Sequence, residues 1–405
     1  MSAACFLQTL DAKVQHTGYR NRSIYLAMRA HLQQLQGTYT EALGSLREAE
    51  TVLREEHPTN FSRHALLIYG NYAWIYYHLS NFEMVELYLG RIHEICRSLS
   101  SPEPYSVQIP EIYAQKGWSL LAVSFQYGEE AKKCFQMALQ GDKSNRDFQA
   151  GLAISIFATW THSQRSDHWE EAKRLIEKNH RRHPLNDELK VHLASLLEKI
   201  DWQRAERLVE EVVRSSLDPE VLRKAAQVCG QSSVSRAISV LQYGLTLAPS
   251  YHLLQYDLGV YYKEQAAEAP PGEREEILAA AKESFKRAVE MDPESVFSRL
   301  ELAQLYIEKD PVYAEEIYYT LKSELPRFSD RCQLAIYLHC GDFLLQRRGL
   351  RQEALEMYEA GFTLPGGHHK EWQQLRSRLK ALAEVFEEDS KTGCIPSCYS
   401  SSLEG

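Results

Sequence analysis

The chain has 405 residues, 44% of them hydrophobic and 25% charged, with a formal net charge of -9 at pH 7 and a pI near 6.0. That composition belongs to a folded protein rather than a disordered one, and the acidic balance argues against a globally basic nucleic-acid surface while leaving room for a basic interior groove. The longest apolar stretch, around Gly151 to Trp160, is far too short to span a bilayer, and Met1 to Lys13 lacks the basic start and long apolar core of a secretory signal, so the expected compartment is the cytoplasm.

Along the chain a frame of the form Ala-x-x-x-(Leu/Phe/Tyr)-x-x-(Ala/Gly) keeps returning. It stands at Ala42/Leu46/Ala49, Ala131/Phe135/Ala138, Ala237/Leu241/Gly244, Ala281/Phe285/Ala288 and Ala354/Tyr358/Gly361. Looser copies at Ala172/Ile176/Asn179 and Ala205/Val209/Val212 give steps of 33 and 32 residues to the next copies, the period of a tetratricopeptide solenoid. The frame has a physical cause: two helices that cross closely need a small residue where their backbones approach and a large one beside it. Pro184, Pro249 and Pro293 stand where second helices should stop.

The predicted fold is therefore all-α, a superhelix of about nine helix pairs with a central channel. Second helices are centred near residues 45, 88, 134, 175, 208, 240, 285, 317 and 357, and a closing helix runs from about 369 to 388. Ser98 to Tyr113 and Glu264 to Glu276 are too long for a plain period and read as loops or extended helix ends. We divide the chain into an N-terminal arm (1–23), N-terminal repeats (24–142), central repeats (143–263), C-terminal repeats with the closing helix (264–390) and a tail (391–405) expected to be disordered.

Eight scattered cysteines, with Cys96, Cys134 and Cys229 inside helical patterns, read as buried reduced thiols rather than a disulfide framework. Cys394 and Cys398 have knuckle spacing but no second pair, so no metal site is expected. No nucleophile elbow, zinc-protease motif, Walker loop or dinucleotide fingerprint occurs, and neither catalytic residues nor a cofactor are expected. The abundant tyrosines of first helices, such as Tyr69, Tyr72 and Tyr76, read as packing residues, and Trp74, Trp169 and Trp202 as core. The basic run Lys178 to His183 reads as a complement to the dipole at its helix end. Trp372, Leu375 and Leu379 read as a capping face, because the last repeat of a solenoid needs a lid.

The segment Gly70-Asn-Tyr-Ala-Trp-Ile-Tyr-Tyr-His-Leu79, preceded by Glu55-Glu-His57, resembles the interferon-induced proteins with tetratricopeptide repeats. Pro110-Glu-Ile112, Gly117-Trp-Ser-Leu-Leu121, Glu130-Ala-Lys-Lys-Cys-Phe135 and Gly151-Leu-Ala-Ile-Ser155 follow in the same order and distance. The resemblance covers roughly residues 24 to 365 and weakens after Asp257. It implies a helical superhelix whose channel holds the 5′ end of foreign RNA, capped without ribose methylation or bearing a triphosphate, and keeps it from translation without catalysis. Other members of the family act through protein partners.

Carried over residue by residue, the resemblance implies that Trp118 stacks on the cap base and Ile154 lines the same pocket. Arg223 contacts the RNA backbone, Asn186 is a polar channel residue and Tyr127 a channel tyrosine. An indole face and a forked guanidinium suit those tasks. Ala122 and Ala158, however, stand where RNA-binding members place a lysine and an arginine, and Tyr256-Asp257 replaces a His-Gln pair. The segment before the first repeat reads as shorter than in full-length members, and their last repeat pair is not evident after Ser390. The expected function is capture of the RNA 5′ end, the alternative a scaffold that assembles with its own kind or with related members. No membrane or DNA partner is expected, and a carboxylate clamp for acidic peptides finds little support in the aromatic and apolar first helices.

Overall fold

The computed structural model describes residues 3–163, 166–365 and 369–391, and every element in them is helical. The notional metal knuckle at Cys394 and Cys398 and nearly all of the expected disordered tail lie outside the described residues. The chain divides into two compact units, Met1–Glu273 and Arg274–Gly405.

The first unit opens with α1 (Ala3–His16) and continues with pairs of antiparallel helices: α2 (Arg22–Leu35) with α3 (Tyr39–Glu56), α4 (Phe61–His78) with α5 (Phe82–Ser98), and α6 (Pro110–Val123) with α7 (Gly128–Gly141). Then come α8 (Arg146–Ser163) with α9 (Ser166–Arg182), α10 (Asp187–Leu197) with α11 (Trp202–Ser215), and α12 (Pro219–Gly230) with α13 (Val234–Leu247), followed by α14 (His252–Glu268). Across the start of the second unit runs α15 (Pro271–Met291). That unit then pairs α16 (Val296–Tyr306) with α17 (Pro311–Ser323) and α18 (Asp330–Arg348) with α19 (Arg351–Phe362), and ends in α20 (His369–Lys391). All nine expected second helices are present, and the two irregular gaps resolve differently. Residues 99–109 form a loop, whereas α14 and α15 simply extend toward each other around Pro270-Pro271.

Short polar residues start several of these helices in the manner their chemistry dictates. Asn81, Asp201, Ser233 and Asp310 each accept a backbone N–H three residues on, satisfying a donor that the first helical turn leaves open. The repeating frame is the core itself: Ala42, Leu46, Ala49, Ala131, Phe135, Ala138, Ala281, Phe285 and Ala288 are all fully buried. Its large residue needs a bare backbone opposite. A β-carbon on Gly151 would come within 2.3 Å of the Phe135 ring, and one on Gly341 within 2.3 Å of the Tyr358 ring. An eighth second helix, α17, uses Ala314, Tyr318 and Leu321 in the same way.

Two expectations about aromatic residues part company here. Tyr69 and Tyr72 are packed as predicted, Tyr72 stacking on Tyr88 with ring centroids 4.4 Å apart. Trp74 is not core: it is 50% exposed and rests against Tyr77 and His78, because the buried side of α4 runs through Ala65, Ile68, Tyr69, Tyr72, Ala73 and Ile75. Trp169 and Trp202 are half-buried against the first unit's core. At the other end of the chain Leu375 is fully buried and Trp372 and Leu379 pack beside it, so α20 covers α18 and α19 as a cap. Cys96, Cys134, Cys229 and Cys340 are buried free thiols, and burial raises the pKa of each. Among the described residues no helix is long and apolar enough to cross a membrane.

Candidate nucleic-acid interface

The interior of the first unit is built by α1, which reaches from the first repeat to α12 and α14. Gln8 Oε1 lies 2.7 Å from His252 Nδ1, and Thr9 Oγ1 lies 3.5 Å from the Tyr251 hydroxyl, contacts between residues more than 240 positions apart. What reads as a short arm in the sequence is thus a helix laid across the inner surface. Its Lys13 meets Tyr25 with Nζ 5.6 Å from the ring centre, and its charge faces Glu188, Asp218 and Glu220.

Trp118 sits on α6, whose start Pro110 fixes, and is only 4% exposed. The edge of Phe135 meets it at 5.2 Å between ring centroids, and Ile154, 2% exposed, belongs to the same buried cluster. The ring of Tyr19, from the turn between α1 and α2, lies 4.8 Å from the indole at an interplanar angle of 30°. Asn186 borders this group. It caps α10 by accepting the Leu189 N–H at 3.0 Å, and its side-chain nitrogen would stand 2.7 Å from a β-carbon placed on Gly18. Trp118 and Asn186 therefore flank the Gly18-Tyr19 turn, and Ile154 is buried in the same core. Tyr127 ends a short 3-10 turn (Phe125–Tyr127) before α7 and is half-buried. Among the described residues no hydrogen bond or ring contact joins it to the other four.

Arg223 on α12 faces the same interior but is already paired. Its Nη1 lies 3.3 Å from Asp257 Oδ2 and its Nε 3.4 Å from Glu220 Oε1. Gln227 donates to Asp257 at 3.2 Å, and the Tyr251 hydroxyl donates to Glu220. Nearby, Lys224 lies 4.0 Å from Glu188 and 5.0 Å from the centre of the Phe125 ring. Four carboxylates, Glu188, Asp218, Glu220 and Asp257, thus meet three cations, Lys13, Arg223 and Lys224. Where the sequence left room for a basic interior, the structure places carboxylates among the cations, with Arg223 and Lys224 ion-paired.

The pKa directions follow from that balance. Burial works against the Glu220 charge, yet Arg223, Lys224 and the Tyr251 hydroxyl overcome it and hold the carboxyl down to about 2. For Asp257 burial wins over Arg223, and the carboxyl is raised. Burial likewise lowers Lys224 despite Glu188. His192, packed against Phe157 and Phe125 with its Nε2 3.7 Å from Glu188, is lowered to about 4, first by burial and then by Lys224. Ala122 and Ala158, the two positions without their cations, are buried in the helix packing.

No family model matches the chain. It is 32% identical over 342 residues to the human antiviral innate immune response effector IFIT1, an alignment that spans 78% of this chain and 69% of that protein. The chain belongs to the family of interferon-induced proteins with tetratricopeptide repeats. Human IFIT2, the interferon-induced protein with tetratricopeptide repeats 2, is 27% identical over 93% of this chain and 82% of its own length. The solved human IFIT1 dimer with m7Gppp-AAAA shares its fold over 96% of this chain and 86% of its own, at 27% identity and a TM-score of 0.77. In this family member, Gln8, Lys13, Tyr19, Glu220 and Tyr251 are interior residues that the sequence did not single out. Gln8 meets His252, Tyr19 meets Trp118 and Glu220 meets Tyr251, partners one to seven repeats away that no local spacing marks.

Proposed function

We propose that this chain is a cytoplasmic antiviral effector that binds the 5′ end of non-self single-stranded RNA inside its first unit and withholds it from translation. In this reading Trp118, Ile154 and Asn186 attend the terminal base, Tyr127 belongs to the wall, and Arg223 serves a phosphate. The observation that carries it is the shared fold with an IFIT1 structure bound to a capped RNA end, over nearly the whole chain. The placement of Trp118 and Asn186 at one turn, with Ile154 in the same buried core, supports the assignment of residues. No reaction is part of the reading: positioned aromatic and charged groups sequester the RNA end and change no bond in it.

A second reading is favoured by one specific observation, the double pairing of Arg223 with Glu220 and Asp257. A guanidinium so compensated contributes less to a phosphate, and a family scaffold that assembles with a second copy or a related member does not need it. One short RNA carrying a cap, a triphosphate or a hydroxyl at its 5′ end separates the two at fixed salt. End-dependent binding that Trp118→Ala or Arg223→Gln removes, with the helical circular dichroism intact, supports RNA capture. Equal weak binding of all three ends, unchanged in the variants, leaves the scaffold, which light scattering of the purified chain then registers as an oligomer.

A further inference from the structure

The turn between α1 and α2 is a built element rather than a slack connection. Thr17 donates from Oγ1 to Asn21 Oδ1 at 2.7 Å, the Tyr19 N–H donates back to Thr17 Oγ1 at 3.3 Å, and Asn21, 1% exposed, donates to the Tyr25 hydroxyl at 3.0 Å. His57 Nε2 lies 3.0 Å from the Arg20 carbonyl oxygen and fastens the outer side. These bonds set the base of the turn and aim its tip, Gly18-Tyr19, at Asn186 and Trp118. The Tyr19 ring, 6% exposed, covers the indole at a tilt of 30°, its centroid 4.8 Å away, in the space a stacked base would need. Yet its hydroxyl is buried without a well-formed hydrogen bond, Asn186 being the polar side chain beside it. A phenol held there for packing alone leaves that group unsatisfied, and one that gives way to a ligand regains a partner in water.

We propose that Tyr19 determines which RNA end the pocket accepts: its ring occupies the stacking face of Trp118, so capped ends enter only by displacing the Thr17–Asn21 turn, and uncapped ends are preferred. This inference rests on the RNA-binding reading above and refines it. The ring competes with the cap base for one face of one indole, while a triphosphate needs no such face. Tyr19 acts through Trp118, and the substitution that removes the ring changes the ratio between ends rather than binding in general.

The test measures binding of the same RNA with a 5′ cap and with a 5′ triphosphate to the full chain and to Tyr19→Ala, Tyr19→Phe and the double variant Tyr19→Ala/Trp118→Ala. Opening the indole face is expected to raise capped over triphosphate binding by roughly ten- to a hundredfold, the range of one stacked base. Tyr19→Phe keeps the ring and the original ratio, and the double variant loses the gain. Quenching of Trp118 emission by a free cap dinucleotide, present in Tyr19→Ala and absent from the unaltered chain, reads the same opening without RNA. End-dependent binding whose ratio Tyr19→Ala leaves unchanged overturns the role of Tyr19 and spares RNA capture. Binding by no folded variant, or binding blind to the 5′ end in all of them, overturns both.

Discussion

The second helices and the interior of the first unit solve opposite problems. In most second helices the same small-large-small frame is buried without charge, Phe135 against Gly151 and Tyr358 against Gly341 being equally tight. In the interior Lys13, Glu188, Glu220, Arg223, Lys224 and Asp257 are partly buried and act on one another's charge. Apolar packing is additive and local, so each repeat can be built alone. A buried charge network is neither: each member is tolerable only while its partners are present.

That contrast is broken most severely at the frame. Phe135→Ala removes a fully buried ring that two glycines were left bare to receive, and about 3–5 kcal/mol of stability should go with it. A melting curve followed by circular dichroism measures the loss; a change below about 1 kcal/mol would show that the neighbouring helices close the cavity.

The interior is probed next through acid. His192 is neutral in the fold because burial and Lys224 hold it down to about 4 from an ordinary 6.5, while Glu188 pulls the other way. A base whose folded pKa is lowered binds fewer protons folded than unfolded, so its contribution is whole above pH 6.5 and is lost as the pH falls toward 4. The loss amounts to roughly 2–3 kcal/mol across that window. His192→Gln should flatten the decline between pH 6.5 and 4 in urea titrations, and an unaltered slope would place the acid sensitivity elsewhere. Glu56, raised by burial to about 7, acts in the reverse sense, favouring the fold as the pH drops from 7 toward 4.5, so it offsets part of the His192 contribution.

The smallest effect sharpens the comparison rather than breaking it. Asp257→Asn keeps the volume and the Gln227 bond but removes one of the two carboxylates that neutralise Arg223. If a compensated arginine is what separates this interior from a phosphate site, triphosphate RNA should bind about five- to tenfold more tightly in low salt, with a steeper salt dependence. Unchanged affinity across a salt series would mean that Glu220 alone suffices to hold the guanidinium.

The sequence by itself determined the repeats. A small residue at a helix crossing, a large one four positions on and a proline at the end are constraints between near neighbours, and Ala131/Phe135/Ala138 or Ala354/Tyr358/Gly361 display them without help from any other part of the chain. Resemblance added Trp118, Ile154, Asn186, Arg223 and Tyr127, of which the fold sets Trp118 and Asn186 at one turn. Trp74 misled because its neighbours are core while its own angle on α4 faces water, a rotation of about 100° that composition does not record. Only the tertiary structure decided what covers Trp118 and what holds Arg223. Tyr19 meets an indole some three repeats away, Arg223 finds Asp257 on the next first helix, and Gln8 meets His252 across almost the whole first unit. Such pairings are set by how stacked helices curve in space, which no spacing along the chain encodes.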